Sequence, residues 1–330
     1  MKAMLCMAFG DEGNLKLGDA PTPVLGANQV RIAVKAAGMN FADTLFISGS
    51  YQVKLVPPFI PGVEVAGVVL EVASGVTTCK RGDRVLAMMV NSGAYAEEAI
   101  LEATAAVVIP DMMDFADAAG FPGSWGTSYH SLTSRARLQA GETLLVHGAG
   151  SGVGLTAVAV GRQLGAKVIA TASSAEKLAL AKAQGADHLI NYRDEDFRTR
   201  VKELTDGRGA DVIFDPIGGK TFETSLRCVA PHGRILVIGF AGGVVQQIPA
   251  NIVLVKNVDI VGYSWGACWH QNATSGRKVL QALLGWYAEG RITSHVTQRL
   301  PLAEAAKAIG MIKRREVMGK MVLTMCADQL

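Results

Sequence analysis

The sequence predicts an α/β protein in which a mostly β domain comes first and a doubly wound parallel sheet follows. The chain has 330 residues, enough for about two domains of ~150 residues each. Short strand-like segments separated by prolines occupy residues 1–122, whereas apolar strand-like segments and helical segments alternate over residues 123–264. Such alternation is typical of a parallel sheet covered by helices on both faces.

The N-terminal region has the pattern of half-buried strands. Val30, Ile32 and Val34 alternate with polar or small neighbours, which is the period of a strand with one buried face. Residues 63–70 form a second strand-like run, and a turn at residues 82–84 leads into a third run at residues 85–89. Prolines punctuate the region, as loops between short strands require, at positions 21, 23, 57, 58 and 61.

The second region contains apolar strands separated by helices. The predicted strands cover residues 143–146, 167–172, 188–191, 211–215, 233–239 and 258–262, and helices are predicted near 175–185, 194–205 and 219–230. Beyond about residue 265 only two helices, at 276–289 and 302–312, and strand-like stretches ending with 319–323 are predicted, too little for a separate core. We therefore expect residues 265–330 to complete the domain of residues 1–122, and residues 123–264 to form the other domain.

Composition excludes several classes of protein. Apolar residues make up 49% of the chain and charged residues 18%, so a buried core is expected. The net charge of +3 comes without blocks of like charge, which argues against nucleic acid as a partner. No apolar run reaches ~18 residues and no signal-peptide pattern is present, so no membrane segment is expected. The cysteines are scattered and form no C-x-x-C pair, which favours the reducing cytoplasm: Cys6, Cys79, Cys228, Cys268 and Cys326.

The sharpest motif is a glycine-rich loop at residues 147–154, between an apolar strand and a helix. Small residues let the backbone approach a pyrophosphate, and the helix N-terminus stabilises the negative charge. The strict G-x-G-x-x-G spacing is absent, since Ala149 and Ser151 replace its first two glycines. Both are small enough for the turn, so the strand–loop–helix context predicts a dinucleotide site. Its expected residues are Ala149, Gly150, Ser151, Gly152, Val153 and Gly154.

The end of the second strand favours NADPH over NADH. An NAD site usually carries a carboxylate there, to bind the ribose 2′-hydroxyl, but residues 168–175 contain none. Ser173, Ser174 and Lys177 suit a 2′-phosphate instead, and Tyr192 follows the third strand, where it can flank the adenosine. In the alternative interpretation Ser173 is a helix N-cap and Lys177 a solvated helix residue.

No metal site or nucleophile motif is apparent in the sequence. None of the six histidines pairs with a cysteine, histidine or carboxylate at ligand spacing, and no G-x-S-x-G elbow occurs. The chemistry is therefore expected to need little Lewis-acid help.

Several segments together resemble one family. They are Ala37-Gly38-Met39-Asn40-Phe41-Ala42-Asp43, Pro61-Gly62-Val63-Glu64-Val65-Ala66-Gly67, Gly82-Asp83-Arg84-Val85, Gly93-Ala94-Tyr95-Ala96-Glu97, the loop at 147–154, Gly185-Ala186-Asp187, Ile190-Asn191-Tyr192-Arg193 and Gly319-Lys320. Over essentially its full length the chain resembles the zinc-free branch of the medium-chain dehydrogenase/reductase superfamily. It is most similar to the quinone oxidoreductases of the zeta-crystallin group. Where the zinc-dependent relatives have cysteine and histidine ligands, this chain has Asn40 and Val63, so the resemblance implies a metal-free enzyme.

The resemblance also implies roles for individual residues. A GroES-like catalytic domain would contain Asn40 beside the nicotinamide, Asp43 on the same helical face or supporting the loop, and Tyr51 donating a hydrogen bond or proton to the acceptor oxygen. Thr127 would contact the nicotinamide. At the ends of the fifth and sixth strands of a Rossmann domain, the cofactor would meet Gly239, Phe240, Gly262 and Ser264. Lys320 would either reach the cofactor or support the fold.

The leading hypothesis is an NADPH-dependent reductase of quinones or related conjugated carbonyls. One alternative is a 2-enoyl-thioester reductase of the same fold, with Tyr51 as proton donor. Another is a cofactor-binding protein with a structural or RNA-binding role, as in crystallin-like relatives. The resemblance further implies a homodimer, in which the strand at 258–262, followed by exposed Trp265 and Trp269, pairs across a two-fold axis.

Overall fold

The structure, a computed structural model, describes residues 1–89 and 91–325. Val90 and residues 326–330 lie outside the described residues, and Cys326 is among them. The other four cysteines are free thiols: Cys6, Cys79, Cys228 and Cys268.

The chain divides into two compact units. The first unit combines Met1–Gly126 with the described residues from Gly266 onward, and the second unit is Thr127–Trp265. The sequence pattern changes at nearby positions, between residues 122 and 123 and between 264 and 265.

Within the described residues the strands are between two and ten residues long. In chain order they are β1 (Lys2–Cys6), β2 (Leu15–Asp19), β3 (Gln29–Gly38), β4 (Glu64–Val72), β5 (Arg84–Met88), β6 (Glu98–Glu102), β7 (Val107–Val108), β8 (Thr143–Val146), β9 (Lys167–Ala172), β10 (His188–Asn191), β11 (Ala210–Asp215), β12 (Val229–Val237), β13 (Asp259–Gly262), β14 (Val296–Pro301) and β15 (Lys320–Thr324).

Side-chain caps explain where several helices begin. Ser151, Ser174, Asp196 and Asn272 each accept a hydrogen bond from the backbone N–H three residues further on. The helices are α1 (Phe41–Ile47), α2 (Phe115–Ala119), α3 (Phe121–His130), α4 (Gly152–Gln163), α5 (Ala175–Ala183), α6 (Phe197–Glu203), α7 (Lys220–Cys228), α8 (Ala250–Lys256), α9 (Trp265–Gln271), α10 (Ala273–Ala288) and α11 (Ala305–Lys313). Shorter helical turns lie at Glu12–Asn14, Ser131–Arg135 and Leu302–Glu304.

The first unit is built on a mixed sheet with strand order β14-β15-β3-β4-β5-β7, and β6 also pairs with β3. The alternating residues of β3 point into its core, since Val30, Ile32 and Val34 are buried. Gly38, the last residue of β3, lies opposite Glu64 of β4 and Val322 of β15. The C-terminal segment therefore joins the sheet of the N-terminal segment, and β4 and β15 both begin where β3 ends.

The second unit is built on a parallel sheet with strand order β10-β9-β8-β11-β12-β13 among the described residues. This order brings the carboxyl ends of the strands to one edge, with a change of chain direction beside β8. The predicted fold class, a doubly wound Rossmann domain with a mostly β GroES-like domain, is confirmed.

The structure corrects two expectations. β12 begins at Val229 rather than at residue 233, because the strand continues past Pro231 and Gly233 with a shift of register against β11. Trp265 and Trp269 are buried rather than exposed, at 4% and 1% exposure. Their large aromatic surfaces are covered, and Gly276 leaves room for Trp269, since a Cβ there would overlap the indole ring.

Across the described residues, the helices are too short or too polar for any of them to span a bilayer.

Candidate active site

The glycine-rich loop of the second unit lies between β8 and α4. Ser151 caps α4, because its hydroxyl accepts a hydrogen bond from the N–H of Gly154 at 3.2 Å. A Cβ at Gly154 would overlap the carbonyl oxygen of Gly148, so only glycine permits this close approach of helix and loop. The loop therefore has the compact backbone and the helix N-terminus that a pyrophosphate site requires.

Lys177 lies across this loop. A Cβ at Gly150 would stand 2.5 Å from Cβ and 2.7 Å from Cγ of Lys177, so the aliphatic stem of the lysine fills the space above the glycine. Two residues expected in the cofactor site are thus in contact. The loop and the start of α5 are parts of one surface of the second unit.

The end of β9 has hydroxyls, and a carboxylate lies just beyond them. Ser174, rather than Ser173, is the N-cap of α5, since its hydroxyl accepts from the N–H of Lys177 at 3.4 Å. Glu176 lies one residue outside the segment free of carboxylates, and a hydrogen bond from Ser174 lowers its pKa. Glu176 is therefore the first carboxylate in the sequence after the end of β9.

Other expected cofactor residues follow the carboxyl ends of neighbouring strands. The N–H of Tyr192, after β10, donates to the carbonyl of Ala172 at the end of β9 (3.2 Å), and the Tyr192 ring is exposed. Gly262 ends β13 opposite Val237, and a Cβ there would meet no atom within 4 Å. The same edge therefore carries Ala149–Gly154, Ser173, Ser174, Tyr192, Gly239, Phe240, Gly262 and Ser264. Thr127 belongs to this unit also, half-buried on α3.

His147 begins the loop and supports it. Its ring nitrogens contact the hydroxyls of Thr171 (3.0 Å) and Ser225 (2.8 Å), and burial lowers its pKa. A neutral imidazole held on both sides ties β8 to β9 and α7.

In the first unit, three side chains form a polar cluster, defined as Asn40, Glu64 and Lys320. Nδ2 of Asn40 donates to Oε1 of Glu64 at 2.9 Å, and Nζ of Lys320 donates to Oδ1 of Asn40 at 2.7 Å. Nζ of Lys320 also lies 3.0 Å from Oε2 and 3.2 Å from Oε1 of Glu64. Glu64 is fully buried and Lys320 is 3% exposed, so this ion pair is shielded from water.

Two glycines make room for the Glu64 carboxylate. A Cβ at Gly38 would overlap Oε2, and a Cβ at Gly123 would overlap Oε1. Glycine at these positions lets β3 and α3 close on either side of the carboxylate. The polar cluster is therefore a packed part of the fold and not a surface ion pair.

Asp43 lies beside the polar cluster and is fully buried. Its Oδ2 accepts from the backbone N–H of Asn40 (2.7 Å) and from the hydroxyl of Tyr95 (2.9 Å), while Oδ1 has no hydrogen-bond partner among the described residues. Burial raises the pKa of Asp43 to about 7, although these two donors act in the opposite direction. Asp43 is therefore poised to change protonation near neutral pH.

Tyr51 packs on Phe46, with ring centroids 4.1 Å apart. Its pKa is raised, first by burial and then by the charge of Asp43. The hydroxyl is thus protonated at neutral pH and can donate a hydrogen bond.

The structure thus brings Asn40, Asp43 and Lys320 together, and it adds Glu64 and Tyr95, for which the sequence predicts no site role. A signal for Glu64 was present, since it is a charged residue inside the apolar run at residues 63–70. Among residues 1–89 and 91–325, no group of three or more histidine, cysteine, aspartate or glutamate side chains is arranged to hold a metal.

Comparisons with known proteins agree with this architecture. The family model described as alcohol dehydrogenase GroES-like domain matches residues 26–111, and the one described as zinc-binding dehydrogenase matches residues 152–283. The quinone oxidoreductase-like protein 2 homolog of Nematostella vectensis is 42% identical over 304 residues, covering 92% of this chain and 83% of the relative.

Solved structures are similar over nearly the whole chain. The Escherichia coli quinone oxidoreductase complexed with NADPH superposes with a TM-score of 0.92 at 30% identity, covering 98% of this chain and 100% of that one. An NAD-dependent alcohol dehydrogenase superposes with a TM-score of 0.88 at 30% identity, covering 99% and 100%. The fold alone therefore does not choose the cofactor. The chain belongs to the medium-chain dehydrogenase/reductase family of oxidoreductases, among its quinone oxidoreductase-like members.

Proposed function

We propose that the protein is an NADPH-dependent reductase that delivers hydride to quinones or related conjugated carbonyls without a metal. The observation that carries the proposal is Lys177, which lies over the glycine-rich loop next to a strand end with hydroxyls and no carboxylate at residues 168–175. A cation at this position attracts a 2′-phosphate, whereas a carboxylate would repel it. The NADPH-bound quinone oxidoreductase of E. coli supports the same choice.

The second unit has a set of groups that fits this cofactor. The N–H groups of Gly152 and Val153, at the start of α4, would hold the pyrophosphate, with Gly154 allowing the close approach. The N–H groups of Ala149, Ser151 and Gly154 already donate within the loop and its neighbours. Ser173, Ser174, Lys177 and Tyr192 would hold the phosphorylated adenosine. The nicotinamide end would meet Thr127, Gly239, Phe240, Gly262 and Ser264. When bound, the nicotinamide supplies the hydride.

The polar cluster of the first unit does not fit zinc. Zinc in proteins prefers thiolate, imidazole and carboxylate ligands, and Asn40 and Val63 offer none of these. The one carboxylate, Glu64, is already paired with the ammonium of Lys320 at 3.0 Å. A divalent cation there would meet a like charge in a buried place, at a high energetic cost. The proposal therefore contains no metal, although one matching family model is described as a zinc-binding dehydrogenase.

Asn40 and Tyr51 are proposed to act on the acceptor. The Asn40 carboxamide is half-buried and keeps one N–H beyond its bond to Glu64. The Tyr51 hydroxyl is protonated because its pKa is raised. Both groups can donate to the acceptor oxygen on which negative charge develops during reduction. Asp43 supports Asn40 by accepting its backbone N–H.

The protonated hydroxyl of Tyr51 also supports a second candidate, a 2-enoyl-thioester reductase. In that reaction a proton must be added next to the carbonyl after hydride transfer, and Tyr51 would donate it.

One assay separates the candidates. We would measure NADPH oxidation with para-benzoquinone, an ortho-quinone and crotonyl-CoA, alongside zinc analysis of the purified protein. Turnover with the quinones supports the main proposal, and turnover with crotonyl-CoA alone supports the second. Absence of acceptor-dependent turnover would reject both, and one zinc per chain would reject the metal-free part.

We also propose a homodimer formed through the second unit. β13 is an edge strand of the parallel sheet among the described residues, and α8, which precedes it in the chain, has no buried residue. Large exposed apolar side chains are concentrated nearby: Val244, Val245, Ile248, Leu254 and Val255. An unpaired edge next to apolar surface favours pairing with a second copy. Light scattering should give twice the mass of one chain and a lower mass for Leu254→Glu; a single-chain mass for the unaltered protein rejects the dimer.

A further inference from the structure

We propose that Glu64 and Lys320 are positioning residues that determine which end of the Asn40 carboxamide faces each side of the site. The proposal deepens the proposed function, because it assumes that Asn40 meets the acceptor or the nicotinamide. Neither Glu64 nor Lys320 needs to touch the reacting atoms for this role.

The two partners differ in hydrogen-bonding capacity, and this difference selects one orientation. An ionised carboxylate only accepts and an ammonium only donates. Glu64 therefore requires the NH₂ of Asn40 on its side, and Lys320 requires the oxygen on the other side, as the distances of 2.9 and 2.7 Å reflect. A flipped carboxamide would place its oxygen against the carboxylate and its N–H groups against the ammonium, so both contacts would become repulsive.

The partners are themselves held in place. Glu64 and Lys320 are the first residues of β4 and β15, which begin on either side of the end of β3. The Glu64 carboxylate is enclosed between Gly38 and Gly123, and neither charged side chain has appreciable exposure. Because a buried ion pair with little free space has few alternative rotamers, it can transmit a defined orientation to the half-buried Asn40.

The remaining capacity of Asn40 is then fixed. One N–H of Nδ2 is left after the bond to Glu64, whereas Oδ1 faces Lys320 and the start of α1, of which Asn40 is the N-cap. The polar cluster therefore presents a donor from the Glu64 side of the amide. If the Asn40 carboxamide loses this orientation, kcat should fall more than KM changes. The reason is that a misdirected N–H no longer stabilises the negative charge that develops in the transition state.

The first test does not depend on activity. In an NMR spectrum of protein with isotope-labelled asparagine side chains, the signals of the Asn40 NH₂ group are those that disappear in Asn40→Ala. Its hydrogen exchange should be slow in the unaltered protein and about tenfold faster in Glu64→Gln, the change expected when a charge-assisted hydrogen bond is lost. Unchanged exchange in Glu64→Gln would overturn the proposal.

The second test is a double-mutant cycle in kcat with quinone as acceptor. Glu64→Gln should lower kcat by about 10- to 100-fold in the unaltered protein but less than about 2-fold in the Asn40→Ala background, because the pair acts through Asn40. Equal factors in both backgrounds would overturn it. Lys320→Arg, which keeps a donor, should retain more activity than Lys320→Met, and both serve if Glu64→Gln does not fold.

The matched control is Glu142→Gln, in the second unit. Glu142 forms an ion pair with Arg234 through two hydrogen bonds of 2.7 and 2.8 Å. It precedes the amino end of β8, whereas the glycine-rich loop follows the carboxyl end of that strand. The Glu142→Gln variant should have a lower free energy of unfolding and an unchanged kcat. If the unaltered protein shows no turnover, the proposed function fails, and the exchange experiment still decides whether Glu64 orients Asn40.

Discussion

Replacing Asp43 with asparagine should change how the stability of the protein depends on pH. Asp43 is fully buried and its pKa is raised from 3.8 to about 7. The folded protein therefore holds this proton more tightly than the unfolded chain does. The contribution of protonated Asp43 to the free energy of unfolding is fully present below the pKa of Asp43 in the unfolded chain. It is lost as the pH rises through the pKa of Asp43 in the folded protein. Asp43→Asn, which cannot ionise, should escape that loss.

The magnitude follows from the two pKa values. At about 1.4 kcal/mol for each pH unit between them, ionisation of Asp43 costs at most ~4 kcal/mol of folding free energy in the unaltered protein. The asparagine oxygen can still accept from the N–H of Asn40 and the hydroxyl of Tyr95, so these bonds are retained. We therefore expect the stability of Asp43→Asn, relative to the unaltered protein, to increase by a few kcal/mol between about pH 4 and pH 7 and then to level off.

The measurement is urea unfolding of both proteins, followed by tryptophan fluorescence at each pH in this range. Asp19→Asn is the matched control, because Asp19 is exposed and pairs with Lys2, which lowers its pKa. Its effect should stay constant over the same range. A constant difference for Asp43→Asn as well would refute the reasoning, since it would show that Asp43 ionises with an ordinary pKa.

Other expectations concern the cofactor and the acceptor. Lys177→Ala should lower the preference for NADPH over NADH, measured as the ratio of kcat/KM values, by about 10- to 100-fold, because a phosphate contact is lost. Lys182→Ala, on the same helix, should leave this ratio unchanged. Equal ratios in the two variants would contradict the role of Lys177. Gly154→Ala forces a methyl group against the carbonyl of Gly148, so the rise in Tm on adding NADPH should disappear, and a retained rise would show that the loop tolerates the change. Tyr51→Phe should retain most quinone turnover if positioning dominates, whereas activity with crotonyl-CoA, if present, should fall by about 100-fold or more, the usual contribution of a general acid; equal losses with both acceptors would assign the hydroxyl to a shared step.

The parallel sheet could be predicted closely because its strands are uninterrupted apolar runs between turn signals. β8, β9 and β10 have the predicted bounds. α8 was not predicted, because its apolar side chains are exposed and the short run has no amphipathic pattern. Capping explains the start of α5 at Ser174, but a single sequence did not distinguish Ser174 from Ser173 as the cap.

The candidate site was predictable in part. The motifs that resemble a family predict Asn40, Asp43 and Lys320 as site residues, and the structure places Asn40 and Lys320 in the polar cluster with Asp43 beside it. Glu64 and Tyr95 were not named as site residues, since their hydrogen bonds join distant parts of the chain. Glu64 and Lys320 are 256 positions apart, and Asp43 and Tyr95 are 52 apart. No local sequence pattern signals a contact between residues so far apart in the chain, so these contacts become visible only when the pairing of the strands is known.

The residues of the polar cluster lie far apart in the sequence, and this separation affects the order in which the two units can fold. Lys320 is translated 280 positions after Asn40, whereas the second unit is a continuous segment, Thr127–Trp265. The second unit can therefore fold during synthesis while the first still lacks β15 and the counter-charge of Glu64. Contacts between such distant positions form slowly. We expect the Asn40 loop to gain protection late in refolding, so that cofactor-binding competence precedes catalytic competence in a newly made molecule.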